Sequence, residues 1–201
     1  MSSGKTQSFF LDLLKAINNL RYRNLHVNTK NLTVNWEHIP SKPLVGDTLT
    51  ITGSTEPKAK IKVKVSFEKK VPVIDGKYEY NLSKVEIPDG PNIFTIKARK
   101  ANDLSFTVKM FINFTRTFEA NTDEAIFSEE NVPSGNYDIS IHGHAKEGEK
   151  EVTLYLEAVE YIDADNEGSF TYMYNTASLP AGDFTVLVGD SERTIHLLPG
   201  T

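Results

Sequence analysis

The sequence predicts an all-β protein made of two copies of one strand-rich unit, and three observations carry that expectation. A stretch occurs twice: Asp75-Gly76-Lys77-Tyr78-Glu79-Tyr80 returns as Glu167-Gly168-Ser169-Phe170-Thr171-Tyr172. Gly76 matches Gly168, Pro88 matches Pro180 and Gly90 matches Gly182, each pair 92 residues apart. A fixed long period marks a duplicated structural unit. Apolar and polar residues also alternate over short runs, the period of a strand with one buried face. Gly, Pro, Asn and Asp then punctuate those runs at the spacing of a strand-and-turn fold, about 8–12 residues. A chain of 201 residues is long enough for two such units, each with a shallow core.

Residues 6–22 depart from this grammar. Phe10, Leu13, Leu14, Ile17 and Leu20 fall at helical spacing. Thr6 or Ser8 suits the start of a helix, and Arg21 with Arg23 suits the negative end of its dipole. The spacing predicts an amphipathic α-helix that packs on the first unit or docks on a partner or membrane surface. Residues 1–28 are read as that helix and its lead-in.

Strands follow. Residues 25–27 and 32–36 alternate, as do Thr48-Leu49-Thr50-Ile51-Thr52 before Gly53. In residues 58–65, Ala59, Ile61, Val63 and Val65 share one face while Lys58, Lys60, Lys62 and Lys64 line the other. Residues 71–74 carry Pro72, which points to an edge position. Tyr78, Tyr80 and Leu82 alternate after the Asp75-Gly76 turn, and residues 93–98 and 106–110 complete the first unit. Residues 115–123 read as a short polar connection, neither long nor glycine-rich. Beyond it, residues 137–143 match 48–53, residues 151–156 replace the lysine strand, residues 184–186 match 94–96, and residues 194–197 form the last strand. The expected domains are 29–115 and 116–201.

About seven short strands per unit is the pattern of an immunoglobulin-like β-sandwich, with an open barrel as the alternative. The expected fold is therefore two tandem immunoglobulin-like β-sandwich domains preceded by an N-terminal amphipathic α-helix. The paired patterns are Gly-Lys-Tyr-Glu-Tyr with Ile-Pro-Asp-Gly-Pro-Asn, and Val-Pro-Ser-Gly-Asn-Tyr with Leu-Pro-Ala-Gly-Asp-Phe. Over residues 32–199 the chain thereby resembles the tandem immunoglobulin-like modules of archaeal, especially methanogen, surface and envelope proteins. That resemblance implies an extracellular or cell-surface address and a binding, adhesive or coat role.

Composition excludes several classes. Cysteine is absent, so disulfides and thiolate metal sites are excluded. No run reaches the roughly 18–20 apolar residues of a membrane span. Residues 9–14 are interrupted by Asp12 and lack a small-residue cleavage site, so they do not read as a signal peptide. The net charge of −5 is uneven: residues 1–44 and 45–115 each carry +4, and residues 116–201 carry −13. A phosphate-reading surface needs concentrated Lys and Arg, so nucleic acid is not an expected partner. Neither a Gly-x-Ser-x-Gly elbow nor a cysteine nucleophile is present, and no enzymatic activity is expected.

Binding residues are more legible. Asp163, Asp165 and Glu167 alternate before Gly168, the way the first half of a calcium loop presents hard oxygens, although Tyr174 stands where an EF-hand places its bidentate Glu. A solvated acidic turn is the alternative. His142 and His144 lie on one strand face, where two imidazoles can share zinc or copper, with Glu147 or Glu149 as further ligands. Asn31, Asn81 and Asn113 open N-glycosylation sequons. Aligned by the repeat, Lys58 and Lys60 fall opposite Glu149 and Glu151. Such faces keep strands soluble, or they join the basic unit of one copy to the acidic unit of the next in a filament or lattice. The leading expectation is thus a non-enzymatic structural or adhesive module whose partners are proteins or copies of itself. The competing one is a carbohydrate- or calcium-binding module in which Tyr155, Tyr161 or Tyr174 faces a sugar, and an intracellular scaffold is the third.

Overall fold

The computed structural model describes residues 31–109 and 113–200. The predicted helix with Phe10, Leu13, Leu14 and Ile17, and the strand at residues 25–27, lie outside them. The described chain is all-β, with thirteen strands in three antiparallel sheets. They are β1 Thr33–Asn35, β2 Thr48–Ser54, β3 Lys60–Pro72, β4 Lys77–Ile87, β5 Asn92–Arg99, β6 Asp103–Lys109 and β7 Phe114–Glu119. The second half continues with β8 Glu124–Glu130, β9 Gly135–His144, β10 Glu151–Asp163, β11 Ser169–Asn175, β12 Gly182–Val188 and β13 Ser191–Leu197. A 3-10 turn, Thr176–Ser178, follows β11. Among the described residues no helix is long and apolar enough to cross a membrane.

The largest sheet has six strands in the order β13-β12-β3-β10-β5-β8. Its centre is β3 against β10, thirteen residues each, paired along their whole length from Lys60↔Asp163 to Pro72↔Glu151. Period-2 geometry turns Ile61, Val63, Val65, Phe67 and Val71 to one face, together with Val152, Leu154 and Leu156 of β10. All eight are buried. Two smaller sheets, β1-β2-β11 and β4-β9-β6-β7, supply the facing side chains, and one continuous apolar cluster joins all three. Tyr174 of β11 stacks on Phe184 of β12 with ring centroids 6.4 Å apart. At the other end Phe106 of β6 meets Phe127 of β8 at 4.1 Å, with Phe118 of β7 against both. Each such side chain contributes about 1.5–3 kcal/mol on burial.

Pairing does not respect the expected boundary at residue 115. The central ladder joins β3 of the first sequence copy to β10 of the second. β5 pairs with β10 and β12 with β3. β4 pairs with β9 and β11 with β2. Every one of these ladders crosses from one copy to the other. The repeat sets β3 equivalent to β10, β4 to β11, β5 to β12 and β2 to β9, so the pairings form reciprocal sets. An approximate twofold axis passes through the middle of the β3·β10 ladder, where Val65 faces Ala158 and Ser66 faces Glu157. Residues 29–115 and 116–201 therefore do not correspond to separate sheets: each closes its layers with strands of the other.

Local differences follow from the same exchange. Residues 115–123, expected as a connection, contain all of β7 but its first residue, and β7 pairs with β6 from Asp103↔Glu119 to Val108↔Phe114. Phe114, Arg116 and Phe118 alternate with Thr115, Thr117 and Glu119, a strand pattern hidden by its polar half. β8 was not expected at all. β3 runs on through residues 71–72, and Pro72 is its last residue rather than part of a separate edge strand.

Candidate functional site

The repeated motif is built into the exchange. Tyr78 lies directly across from Gly143, and Phe170 directly across from Gly53. The aromatic of each copy thus sits over a glycine of the other. A Cβ at Gly53 would come within 2.2 Å of the Thr33 carbonyl oxygen and 2.4 Å of the Phe170 ring. One at Gly143 would come within 2.5 Å of the Asp103 carbonyl oxygen. The Tyr78 hydroxyl donates to that same carbonyl at 2.8 Å, and burial pushes its pKa well above the ordinary tyrosine value.

The sequence-predicted charged residues are used largely within the chain. Lys60 pairs with Asp163 at 2.7 Å, Lys64 with Glu157 at 3.4 Å, Lys70 with Glu151 at 2.9 Å and Lys100 with Glu149 at 2.9 Å. The lysine strand and the glutamate strand are neighbours in one molecule, so the complementarity that suggested contact between copies is met inside each. Lys62 lies opposite Tyr161, and the Lys58 backbone N–H donates to the Asp165 carbonyl at 2.9 Å.

The acidic turn also has internal work. Asp165 Oδ1 accepts the backbone N–H groups of Glu167 at 2.9 Å and Ser169 at 2.7 Å, which shapes the turn into β11. Asp163 is held by Lys60, and Glu167 is exposed. His144 Nδ1 lies 2.8 Å from Asp103 Oδ2, and His142 Nε2 lies 3.3 Å from Thr107 Oγ1. Among the described residues no three His, Asp or Glu side chains are grouped to hold a metal ion.

The three tyrosines do not share a platform. Tyr155 and Tyr161 project from the outward face of β10, where the Tyr155 hydroxyl donates to Glu157 at 2.7 Å and Lys97 Nζ lies 5.6 Å from its ring centroid. Tyr174 is on the inward side, stacked between Tyr172 and Phe184.

Where the two covering sheets approach each other they leave a cleft over the middle of the β3·β10 ladder. It has a volume of about 290 Å³ and is lined by Thr48, Glu86, Pro88, Glu160, Met173, Tyr174, Asn175 and Ser178. A narrower apolar part of about 60 Å³ continues it between Leu82, Val85, Phe94, Ala158 and Leu179. Glu160 is its chemical centre. Burial raises the Glu160 pKa, and the negative charge of Glu86 raises it further, while a hydrogen bond donated by the Tyr172 hydroxyl opposes both. Burial and the nearby Glu160 carboxylate push the Tyr172 hydroxyl well above the tyrosine range. Tyr174 is pushed up to about 12, again mainly by burial. The lip carries Met173, 65% exposed. Such a cleft can present two carboxylates to a ligand's hydroxyl or ammonium groups beside an aromatic edge and an apolar lip.

Tyr174 was expected as a binding aromatic; Glu86, Glu160 and Tyr172 were not. One signal was available. Positions 152, 154, 156, 158, 160 and 162 of β10 form the inward register, and Glu160 is its one charged member. A carboxylate in an apolar register marks either a paired core charge or a site. No protein-family model matches this chain, and no curated protein matches it.

Proposed function

We propose that the protein is a non-enzymatic extracellular module, structural or adhesive, that serves in a cell envelope as one mechanically continuous body. The observation that carries this reading is the reciprocal strand exchange. Each covering sheet is completed by the other sequence copy, and the thirteen-residue β3·β10 ladder ties the halves together. Force on either half is then resisted by ladders that belong to both. The immunoglobulin-like character of the repeats and their likeness to archaeal surface modules belong to the same reading. Asn31, Asn81 and Asn113 are all exposed, as sequons on an outer surface need to be. Surface labelling of intact cells of the source organism with a membrane-impermeant amine reagent tests the address. Labelling before lysis supports the proposal; labelling only after lysis overturns it.

The cleft favours a second reading, a carbohydrate-binding module. Glu86 and Glu160 can accept sugar hydroxyls while Tyr174 and Met173 offer apolar contact. Calcium at Asp163, Asp165 and Glu167 would have to compete with Lys60 and with the two backbone N–H groups that Asp165 already accepts. Titration calorimetry separates these ligands. Saturable heat with an oligosaccharide that disappears in Glu160→Ala selects the cleft, and heat with calcium that disappears in Asp165→Ala selects the turn.

A further inference from the structure

We infer that this chain exchanges halves with a second copy of itself, hinged at residues 120–123. β1 to β7 would come from one copy and β8 to β13 from the other. The partner is thus a second copy of the chain, and the surface it uses is the one each half now offers to its own partner half. The inference rests on the reading of the protein as one body whose halves complete each other, and goes beyond it by naming a partner.

Three observations carry it. The ladders β3·β10, β5·β10, β3·β12, β4·β9, β2·β11 and β6·β9 all join a strand before the hinge to one after it. Any half that finds a complementary half re-forms every one of them, whichever chain supplies it, so a reciprocal dimer differs from the monomer chiefly at the hinge.

The hinge itself is short and strained. β7 ends at Glu119 and β8 begins at Glu124, and the Asn121 N–H donates to the Glu124 carbonyl at 3.1 Å to close the turn between them. Thr122 sits within it at φ 64°, the one β-branched residue in the left-handed region among the described residues. A branched Cβ there is a genuine outlier, because it crowds the neighbouring carbonyl oxygens. Opening the turn into an extended link between two molecules releases that crowding, and short strained hinges invite exchange.

Finally, two backbone hydrogen bonds, from the Lys100 N–H to the Asp123 carbonyl at 3.0 Å and from the Ala120 N–H to the Asn102 carbonyl at 2.8 Å, hold the hinge together with one side-chain clamp. Lys146 Nζ donates to the Thr122 carbonyl at 2.6 Å and forms an ion pair with Asp123. Both groups of that pair lie at the surface, so salt screens it and favours opening.

The test uses the full chain, which contains no cysteine to complicate refolding. Unlabelled and nitrogen-15-labelled protein are mixed in denaturant, refolded at high concentration, separated by size and joined with a zero-length carbodiimide. Lys70 and Glu151, 2.9 Å apart across the central ladder, are the reporting pair. Exchange predicts a dimer fraction in which about half of the Lys70–Glu151 links join a light to a heavy peptide, and none in protein mixed without unfolding. Thr122→Gly, which removes the crowding, should weaken the dimer about 10-fold or more. A dimer whose links are all light–light or heavy–heavy overturns exchange and leaves ordinary assembly standing. A chain that refolds only to monomer at every concentration overturns both.

Discussion

Gly53 and Gly143 are the residues on which the exchange is most sensitive to a single methyl group. Both accept an aromatic of the other copy, and both lack space for a Cβ because a backbone carbonyl stands in its place. A carbonyl cannot rotate away as a side-chain tip can. Gly53→Ala and Gly143→Ala should each destabilise the fold by about 1–3 kcal/mol, the usual range for overpacking a tight site. Thermal unfolding followed by circular dichroism would register this as a fall of several degrees; unchanged melting in both variants would contradict the geometry. Glu160 makes the opposite prediction. Its folded-state pKa is raised, so the folded protein holds that proton to higher pH than the unfolded chain does. Its contribution therefore favours folding at low pH and is lost as pH rises from the ordinary carboxylate range through the raised value. Glu160→Gln keeps an acceptor for Tyr172 without the charge. It should stabilise the protein at neutral pH and flatten the fall in stability as pH rises above the ordinary carboxylate range. Denaturant titrations at several pH values check both.

At the scale of elements, the division of labour within the central ladder is uneven. Its ion pairs are half-exposed, and Lys70→Ala or Lys60→Ala should cost no more than about 1 kcal/mol. Leu154, fully buried against the covering sheet, should cost about 2–5 kcal/mol as Leu154→Ala. Urea midpoints of the three variants would rank them. The sequence made most of these strands legible, because alternation identifies which residues share a face: the runs at 48–52, 78–82 and 93–98 lie in strands, and the run at 58–65 does so from Lys60 on, Lys58 standing in the turn before it at φ 59°. It did not make their neighbours legible. A period of two says which way Ile61 points and nothing about whether β3 lies beside a strand of its own copy or of the other. The repeat suggested two self-contained units for that reason. β7 escaped because Thr115, Thr117 and Glu119 made it look like a polar linker, and β8 because Glu124, Glu129 and Glu130 with the exposed Ile126 obscured its alternation. The cleft was hidden more deeply, since its walls come from sheets whose meeting depends on that unseen pairing. Glu160 alone betrayed it, as a charge in an apolar register.

The whole molecule is then one cooperative body, and that is the claim on which the functional reading depends. Two independent sandwiches would unfold separately; two halves that complete each other's sheets cannot, because losing β11 from β2 or β4 from β9 strips both copies at once. The chain carries a built-in reporter. Trp36 is the single tryptophan, and its Nε1 donates to Ser191 Oγ at 3.1 Å where β1 meets the turn between β12 and β13. It senses one end of the molecule. Backbone amides of β6 and β9 sense the other, around Leu104, Phe106 and Ile141. The direct measurement is urea unfolding followed by Trp36 fluorescence, beside hydrogen exchange of the amides of β6 and β9 under the same conditions. Strand exchange predicts one transition, with the same midpoint and the same unfolding free energy from both probes. Two separated midpoints, with the β6 and β9 amides exchanging while Trp36 remains in its folded environment, would contradict it.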